Sequence, residues 1–203
     1  MNYERGTLTG LQLHLCDFDG TLTKDDSFVR FMLFAVPLPQ LVAGGVVLIF
    51  KFLGMMLSGK WSNGAGKAAV LSLFFKSKTV AEMSAMGEEF HRKKMPAMLR
   101  SELLESMRGA IKNGETVAIV SASTDLWLRP FCKAEGFDLL CTELAFEGGK
   151  FTGLFAALNC NGAEKARRIR ASYDLDSFDK ITAYGNSDGD TEMFALADKV
   201  VRF

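Results

Sequence analysis

The chain has 203 residues, enough to bury one α/β core and a smaller module. Its 24 basic and 24 acidic residues give a formal net charge of zero, without the basic excess that is typical of nucleic-acid binding. Cys16, Cys132, Cys141 and Cys160 lack CxxC or metal-ligand spacing, which predicts reduced thiols in a cytoplasmic protein, and residues 1–6 do not form a secretory signal.

The first predicted strand ends in two acidic residues. Leucines alternate with other residues over 11–18, the period of two that is typical of a β-strand, and Gly20 then allows a sharp turn. Asp17 and Asp19 are therefore expected at the carboxyl edge of a strand, where open α/β sheets bind ligands. Two carboxylates this close repel each other, so the pair indicates a bound cation or a shared proton, unless it is only an acidic turn.

Two contrasting segments follow the acidic pair. Residues 28–57 are almost entirely apolar, with a break at residues 37–39 and a charge at Lys51. Residues 76–109 are charged and amphipathic, which predicts helices with one buried stripe. The predicted stripe consists of Met83, Met86, Phe90, Met95, Met98, Leu99, Leu103 and Met107. Its methionines indicate an adaptable core and not a cofactor site.

A second predicted strand, residues 116–120, ends in Ser121-Ala122-Ser123. Ser123 fits the N-cap of a helix that starts near Thr124, while Ser121 is free for another role. The remaining predicted elements are a short strand at Asp138–Thr142, a hairpin at 144–153 turning at 147–150, a helix containing Lys165, strands at 180–184 and 199–203, and a helix at 191–197. Strands alternating with helices predict a parallel sheet.

The heptad DFDGTLT at residues 17–23 resembles motif I of the haloacid dehalogenase (HAD) phosphohydrolase superfamily. The resemblance implies that Asp17 is the nucleophile that attacks phosphorus, forming an aspartyl-phosphate. It also implies that Asp19 is the general acid and base. Thr21 belongs to the predicted phosphate-binding set and can donate a hydrogen bond to one of the two carboxylates.

Three later segments resemble the other motifs of this superfamily, in the required order. The strand end at Ser121 and Ala122 resembles motif II, which implies phosphate binding there. Lys165 resembles the motif III lysine, which neutralises charge between nucleophile and phosphate, although a lysine in a basic helix is more often solvated. The loop GNSDGD at 185–190 resembles motif IV, whose acidic residues hold Mg²⁺.

Motif IV departs from the family pattern at its first acidic position, which is Asn186. An amide oxygen can ligate Mg²⁺ but contributes no negative charge. Asp190 matches the second acidic position, and Asp188 is an additional acid that could partly compensate. The predicted metal ligands are therefore Asp17, Asp19 through its backbone carbonyl, Asn186 and Asp190.

The resemblance implies a Rossmann-like, doubly wound parallel sheet with an inserted α-helical cap. The core would comprise residues 1–26 and 109–203, and the cap residues 27–108. Within the superfamily, the chain resembles the phosphoserine phosphatase branch, and most of all the phosphatidylglycerophosphatase C-like proteins. Asp26-Ser27-Phe28 resembles the acidic-then-aromatic start of that branch's cap.

The expected function is a Mg²⁺-dependent phosphomonoester hydrolase. A lipid phosphate is favoured over a soluble ester such as phosphoserine, because residues 28–57 carry only Arg30 and Lys51 as charges. Asp26 could bind a substrate ammonium or simply cap the next helix. Two alternatives of another class are a phospho-acceptor signalling domain, which Asp19 argues against, and a non-catalytic phosphate- or metal-binding protein, which only Asn186 supports.

The apolar stretch at 28–57 also raises the question of a membrane. Asp17 and Ser121 must meet on one side of a bilayer, so the chain between them crosses it an even number of times. Two crossings need about 40 apolar residues, more than this stretch offers. Two interpretations remain: peripheral contact with the inner face of the membrane, with Lys60 and Trp61 among the boundary residues, or burial in the cap or in a homodimer.

Overall fold

The computed structural model describes residues 10–203. Residues 1–6, where the sequence shows no secretory signal, lie outside the described residues. A five-stranded parallel sheet with the order β3-β2-β1-β6-β7 occupies the centre of the fold, beside a two-stranded antiparallel hairpin, β4-β5. The strands are β1 Gln12–Cys16, β2 Thr116–Thr124, β3 Asp138–Thr142, β4 Leu144–Glu147, β5 Lys150–Phe155, β6 Lys180–Gly185 and β7 Lys199–Arg202.

Both faces of the sheet are buried. Leu13 and Leu15 of β1 face one apolar cluster with Ile181 of β6, whereas Cys16 and Ile119 belong to a second cluster on the other face. A parallel sheet covered on both faces is the arrangement that alternating strands and helices produce. The predicted fold class and the predicted strands are confirmed, with ends that differ by at most four residues.

Helices connect the strands and cover the sheet. They are α1 Ser27–Ala35, α2 Leu38–Leu57, α3 Asn63–Phe75, α4 Val80–Lys93, α5 Met95–Met98, α6 Ser101–Lys112, α7 Asp125–Glu135, α8 Ala163–Ser172 and α9 Thr191–Phe194. The first six lie between β1 and β2 and form a helical insertion. The last helix is shorter than the predicted 191–197, and the predicted hairpin at 144–153 is confirmed, with its second strand continuing to Phe155.

The helical insertion packs on the core through aromatic side chains. Phe31 of α1 stacks on Trp127 of α7 with ring centroids 4.7 Å apart, and Phe90 of α4 meets the same indole edge-on at 6.1 Å. The stripe predicted over residues 76–109 is buried in this cluster, with Met86 and Leu99 partly exposed. The cap boundary at residues 27–108 stays a prediction, since one continuous apolar cluster joins the insertion to the sheet.

Helix α2 is largely exposed, which contradicts one of the interpretations left open for this segment, burial against neighbouring helices of the cap. Only Gly44 and Leu48 of its 20 residues are buried. By length and composition alone, this helix could cross a membrane, and only 11% of its most apolar 18 residues are buried. Burial within the cap is wrong for α2 because the helix has neighbours along one side only, whereas burial in a homodimer and contact with a membrane stay predictions.

The reduced state of the four cysteines stays a prediction, and the structure shows their surroundings. Cys16, Cys132, Cys141 and Cys160 are all buried and form no disulfide in residues 10–203. Burial raises the pKa of the Cys160 thiol to about 11, which keeps it protonated.

Candidate active site

The turn after β1 places the two motif I aspartates. Residues Phe18–Leu22 form a tight helical turn in which Gly20 has a φ of 79°, a conformation that side chains disfavour. A Cβ at Gly20 would lie 2.0 Å from Nδ2 of Asn186, so the glycine also lets the two loops approach. Asp17 is buried at the strand end, and the Thr21 hydroxyl donates a 3.1 Å hydrogen bond to its Oδ2.

A buried ammonium connects three of the predicted site residues. Nζ of Lys165, at the start of α8, lies 2.6 Å from Oδ1 of Asp17 and 2.6 Å from Oδ1 of Asp190. The Lys165 side chain is only 2% exposed. The interpretation of this lysine as part of a solvated basic face is therefore wrong. Sequence spacing placed it correctly, while its neighbours Arg167 and Arg170 are the exposed basic residues.

The charges of this bridge set the pKa values of its members. Burial alone would lower the pKa of Lys165, but the carboxylates of Asp17 and Asp190 outweigh burial and raise it. Burial raises the pKa of Asp17 in spite of Lys165, whereas Lys165 and the backbone of Ser187 hold the pKa of Asp190 below its usual range against the effect of burial. The lysine is therefore cationic and Asp190 is its permanent anionic partner.

Asp190 also organises the loop after β6. Its Oδ2 accepts hydrogen bonds from the backbone of Asn186 at 3.2 Å, and from the backbone and the hydroxyl of Ser187, both at 3.0 Å. This reciprocal cap fixes the short turn Asp188–Asp190 against the end of β6. Asp188 itself is exposed. One carboxylate thus both orients the lysine and shapes the loop that carries Asn186.

Asp19 is held by a second set of hydrogen bonds. Its Oδ1 accepts the backbone N–H of Ser27 at 2.7 Å, and its Oδ2 accepts the hydroxyl of Ser123. The Ser27 hydroxyl lies 3.2 Å from that of Ser123 and accepts the indole N–H of Trp127 at 2.9 Å. Burial raises the pKa of Asp19, and the serine hydrogen bonds offset only part of that rise.

Sequence reasoning missed this second set and misassigned one of its members. Ser123 was predicted to cap the helix after β2, but α7 starts at Asp125 with Thr124 as its N-cap, and Ser123 points to Asp19 instead. Ser27 and Trp127 carried no signal for a role at the site. They are 100 residues apart, and only the packing of α1 on α7 brings them together.

The predicted phosphate-binding residues of β2 lie at the same carboxyl edge. Ser121 is buried, and its hydroxyl accepts the backbone N–H of Ser123 at 3.0 Å, which closes the chain into a turn. Ala122 is partly exposed beside that turn, where its carbonyl accepts the Thr142 hydroxyl at 3.2 Å. Ala122 also lines a cleft that adjoins the site.

The predicted metal ligands form an oxygen-rich set. Within residues 10–203, no three His, Cys, Asp or Glu side chains cluster as a metal site. The predicted set needs no such cluster, since two of its members are the amide of Asn186 and the backbone carbonyl of Asp19. Asn186 is exposed and lies against Gly20, the residue that follows Asp19. Carboxylate, amide and carbonyl oxygens suit Mg²⁺, and the two carboxylates of Asp17 and Asp190 beside one ammonium leave negative charge for a cation.

A cleft of about 410 Å³ opens beside this edge. It is lined by Asp26, Phe28, Phe52, Trp61, Asn63, Gly66, Lys67, Val70, Ala122, Asn159 and Asn161. Asp26 caps α1, since its Oδ1 accepts the Val29 N–H at 3.1 Å, as one of the two predicted roles requires. A larger cleft of about 720 Å³ lies between α4 and α7 and contains none of the predicted site residues.

Over residues 15–195 the chain matches the haloacid dehalogenase-like hydrolase family. It is 35% identical over 186 residues to Protein CicA of Caulobacter vibrioides, covering 90% of this chain and 82% of that protein.

Solved structures share the fold at lower identity. A protein of unknown function from Bordetella pertussis Tohama I superposes with a TM-score of 0.76 at 20% identity, covering 96% of this chain and 90% of that one. A phosphoserine phosphatase in complex with its substrate superposes with a TM-score of 0.62 at 17% identity, covering 95% and 86%. At these identities the likeness is one of fold.

Proposed function

The chain belongs to the haloacid dehalogenase-like hydrolase family, and from this premise we propose that it is a Mg²⁺-dependent phosphomonoester hydrolase that acts through an aspartyl-phosphate. The observation that carries the proposal is the buried bridge from Asp17 through Lys165 to Asp190. Burying three ionised groups is costly, and a hydrophobic core would be as stable without them. Such groups at the carboxyl edge of a parallel sheet are typical of a reaction centre.

The residues at the centre can carry out hydrolysis in two balanced steps. A carboxylate oxygen of Asp17 attacks phosphorus, the bond from phosphorus to the ester oxygen breaks, and Asp19 gives its proton to the leaving alcohol. Asp19 then takes a proton from water, and the water oxygen attacks phosphorus. The bond from phosphorus to Asp17 breaks, inorganic phosphate leaves, and both carboxyl groups return to their starting states.

Hydrogen-bond donors around the nucleophile would stabilise the transferred phosphoryl group. Lys165 supplies a permanent positive charge next to Asp17, and the turn after β2 supplies Ser121 and the Ala122 backbone. Thr21 holds the second oxygen of Asp17 and so fixes the direction of attack. The raised pKa of Asp19 suits a carboxyl group that must carry a proton in the first step.

Mg²⁺ would be held by Asp17, the Asp19 carbonyl and Asn186, with Asp190 nearby. When bound, it would offset the charge of the phosphate and of the attacking carboxylate. Asn186 in place of an acid is also the one feature that favours a non-catalytic phosphate- or metal-binding protein. The complete set of Asp17, Asp19 and Lys165 favours turnover.

The favoured substrate is a lipid phosphate, such as the phosphatidylglycerophosphate of the family branch that the sequence resembles. The cleft beside the site supports this choice, because Phe28, Phe52 and Trp61 give it an apolar wall while Lys67 adds a cation. A soluble ester such as phosphoserine is the second candidate. The substrate-bound phosphoserine phosphatase with the same fold makes it the necessary comparison.

The test is phosphate release by the full chain in detergent with Mg²⁺. Phosphatidylglycerophosphate, phosphoserine and an aryl phosphate would be compared at equal concentration. Higher kcat/KM for the lipid supports a lipid phosphatase, and higher kcat/KM for phosphoserine assigns the soluble substrate. Release from none of the three, in protein whose circular dichroism is that of a folded α/β protein, would overturn the proposed hydrolase activity.

A further inference from the structure

Helix α2 exposes a large apolar surface that nothing in residues 10–203 covers. Ile49 is 64% exposed and Phe50 71% exposed, and both lie in the middle of the helix. The other exposed large apolar side chains of α2 are Leu38, Val42, Val46, Val47, Leu53, Met56 and Leu57. Contiguous apolar surface of this size is rare on soluble monomers and marks a binding surface.

The charge of the surrounding segment is one-sided. Residues 27–81 contain no Asp or Glu, although the whole chain has as many acidic as basic residues. The basic residues of this segment are Arg30, Lys51, Lys60, Lys67, Lys76 and Lys78. Arg30 pairs with Asp25 just outside this segment, and the five lysines make the apolar segment complementary to an anionic lipid surface.

The connections of α2 exclude a single crossing of a bilayer. Val36 precedes the helix and is buried in the main apolar cluster, and Leu71 and Phe75 of the following helix are buried in the same cluster. Both ends of α2 therefore return to one folded body. At about 30 Å, the helix can lie along the surface of a membrane with its exposed side toward the lipid.

The surface is continuous with the cleft beside the candidate active site. Phe52 of α2 packs edge-on against Trp61 with ring centroids 5.1 Å apart, and both rings line the cleft that reaches Ala122. Trp61 and Lys60 lie where the chain turns from α2 into α3, and such residues favour the headgroup region of a membrane.

We propose that α2 and the α2–α3 turn are a docking surface for an anionic lipid bilayer, with α2 lying in the plane of the interface. This inference goes beyond the proposed hydrolase activity and does not depend on it. A second copy of the chain fits less well, because a symmetric contact through α2 would bring the same cations together without any acid from 27–81 to pair them. Docking would present the cleft to lipid headgroups.

The test uses the full chain without substrate. Flotation would measure binding to vesicles of phosphatidylcholine alone and of phosphatidylcholine mixed equally with phosphatidylglycerol. The variant is Ile49→Ser with Phe50→Ser. The matched control is Leu11→Ser with Val200→Ser, which replaces two exposed apolar residues outside the insertion. We expect the α2 variant to bind anionic vesicles at least about tenfold more weakly and the control to bind like wild type.

Four outcomes decide the inference. Binding to anionic vesicles that weakens with added salt and with the α2 variant supports it. Equal binding to both kinds of vesicle would overturn the role of the cations. Binding to neither kind overturns the docking surface. A wild-type dimer in sedimentation that the α2 variant dissociates, without vesicle binding, assigns the surface to a second copy and also overturns it.

Discussion

The carboxyl edge of the sheet and helix α2 differ in which kinds of side chain they bury and which they expose. At the sheet edge, charged groups are buried and each finds a partner, as Lys165 does between Asp17 and Asp190. In α2, apolar side chains are exposed and pack against almost no other side chains. Both arrangements cost free energy in water, because a buried charge loses its hydration and an exposed apolar side chain contacts water. Each region is therefore shaped for something that binds it, in our proposals a phosphate with its cation and a lipid surface.

The largest expected effect separates the two regions. Asp17→Asn removes the proposed nucleophile, so phosphate release should fall by at least about 10⁴-fold, while vesicle binding should equal that of wild type. Steady-state phosphate release and flotation measure the two. Sustained turnover by the variant would show that Asp17 is not the nucleophile, and lost vesicle binding would show that the two regions are not independent.

Removing the buried ammonium tests how tightly the sheet edge couples stability to activity. Lys165→Met leaves Asp17 and Asp190 facing each other without a cation, so we expect a loss of about 3–5 kcal/mol in the free energy of unfolding and a fall in kcat of at least about 100-fold. Urea denaturation and phosphate release measure these effects. Arg167→Met is the control on the same helix, since Arg167 is exposed and pairs with Glu164.

A small change in the stability of Lys165→Met, comparable with that of Arg167→Met, would contradict the view that the bridge carries buried charge. Supplying Mg²⁺ should recover part of the lost stability, because a cation can take the place of the ammonium between two carboxylates.

Ser123 tests whether the hydrogen bonds of Asp19 position it for proton transfer. Ser123→Ala removes the donor to Oδ2 of Asp19, and we expect kcat to fall about tenfold or more with little change in KM. Ser123→Thr keeps the hydroxyl and should restore most of kcat. Equal loss in both variants would assign Ser123 a packing role only.

Much of the sheet could be predicted because its signal is local. Alternating leucines before Asp17 and the apolar run at 116–120 depend only on neighbours in sequence, and both form strands. Helix α2 could not be assigned in this way. An apolar run predicts burial in a core or in lipid equally, and the choice depends on which neighbours the finished fold supplies.

In the candidate site too, the residues with a local sequence signal could be predicted and the others could not. Asp17, Lys165 and Asp190 lie in short motifs whose order along the chain is informative, and they converge as expected. Ser123 was assigned to the wrong partner, because a serine before a helix is a good N-cap in isolation and only the position of Asp19 across the sheet edge shows otherwise. Long-range packing, as between Ser27 and Trp127, leaves no local pattern.

Asn186 offers the finest test of the difference between the two regions. Asn186→Asp adds a carboxylate beside Gly20, in a loop already fixed by Asp190. An added negative charge should tighten Mg²⁺ binding about tenfold, lowering the Mg²⁺ concentration for half-maximal phosphate release and for half-maximal rise of Tm. Vesicle binding should stay the same, since α2 is unchanged. If neither Mg²⁺ titration moves, position 186 is not a ligand, and the charge excess at the sheet edge is balanced elsewhere.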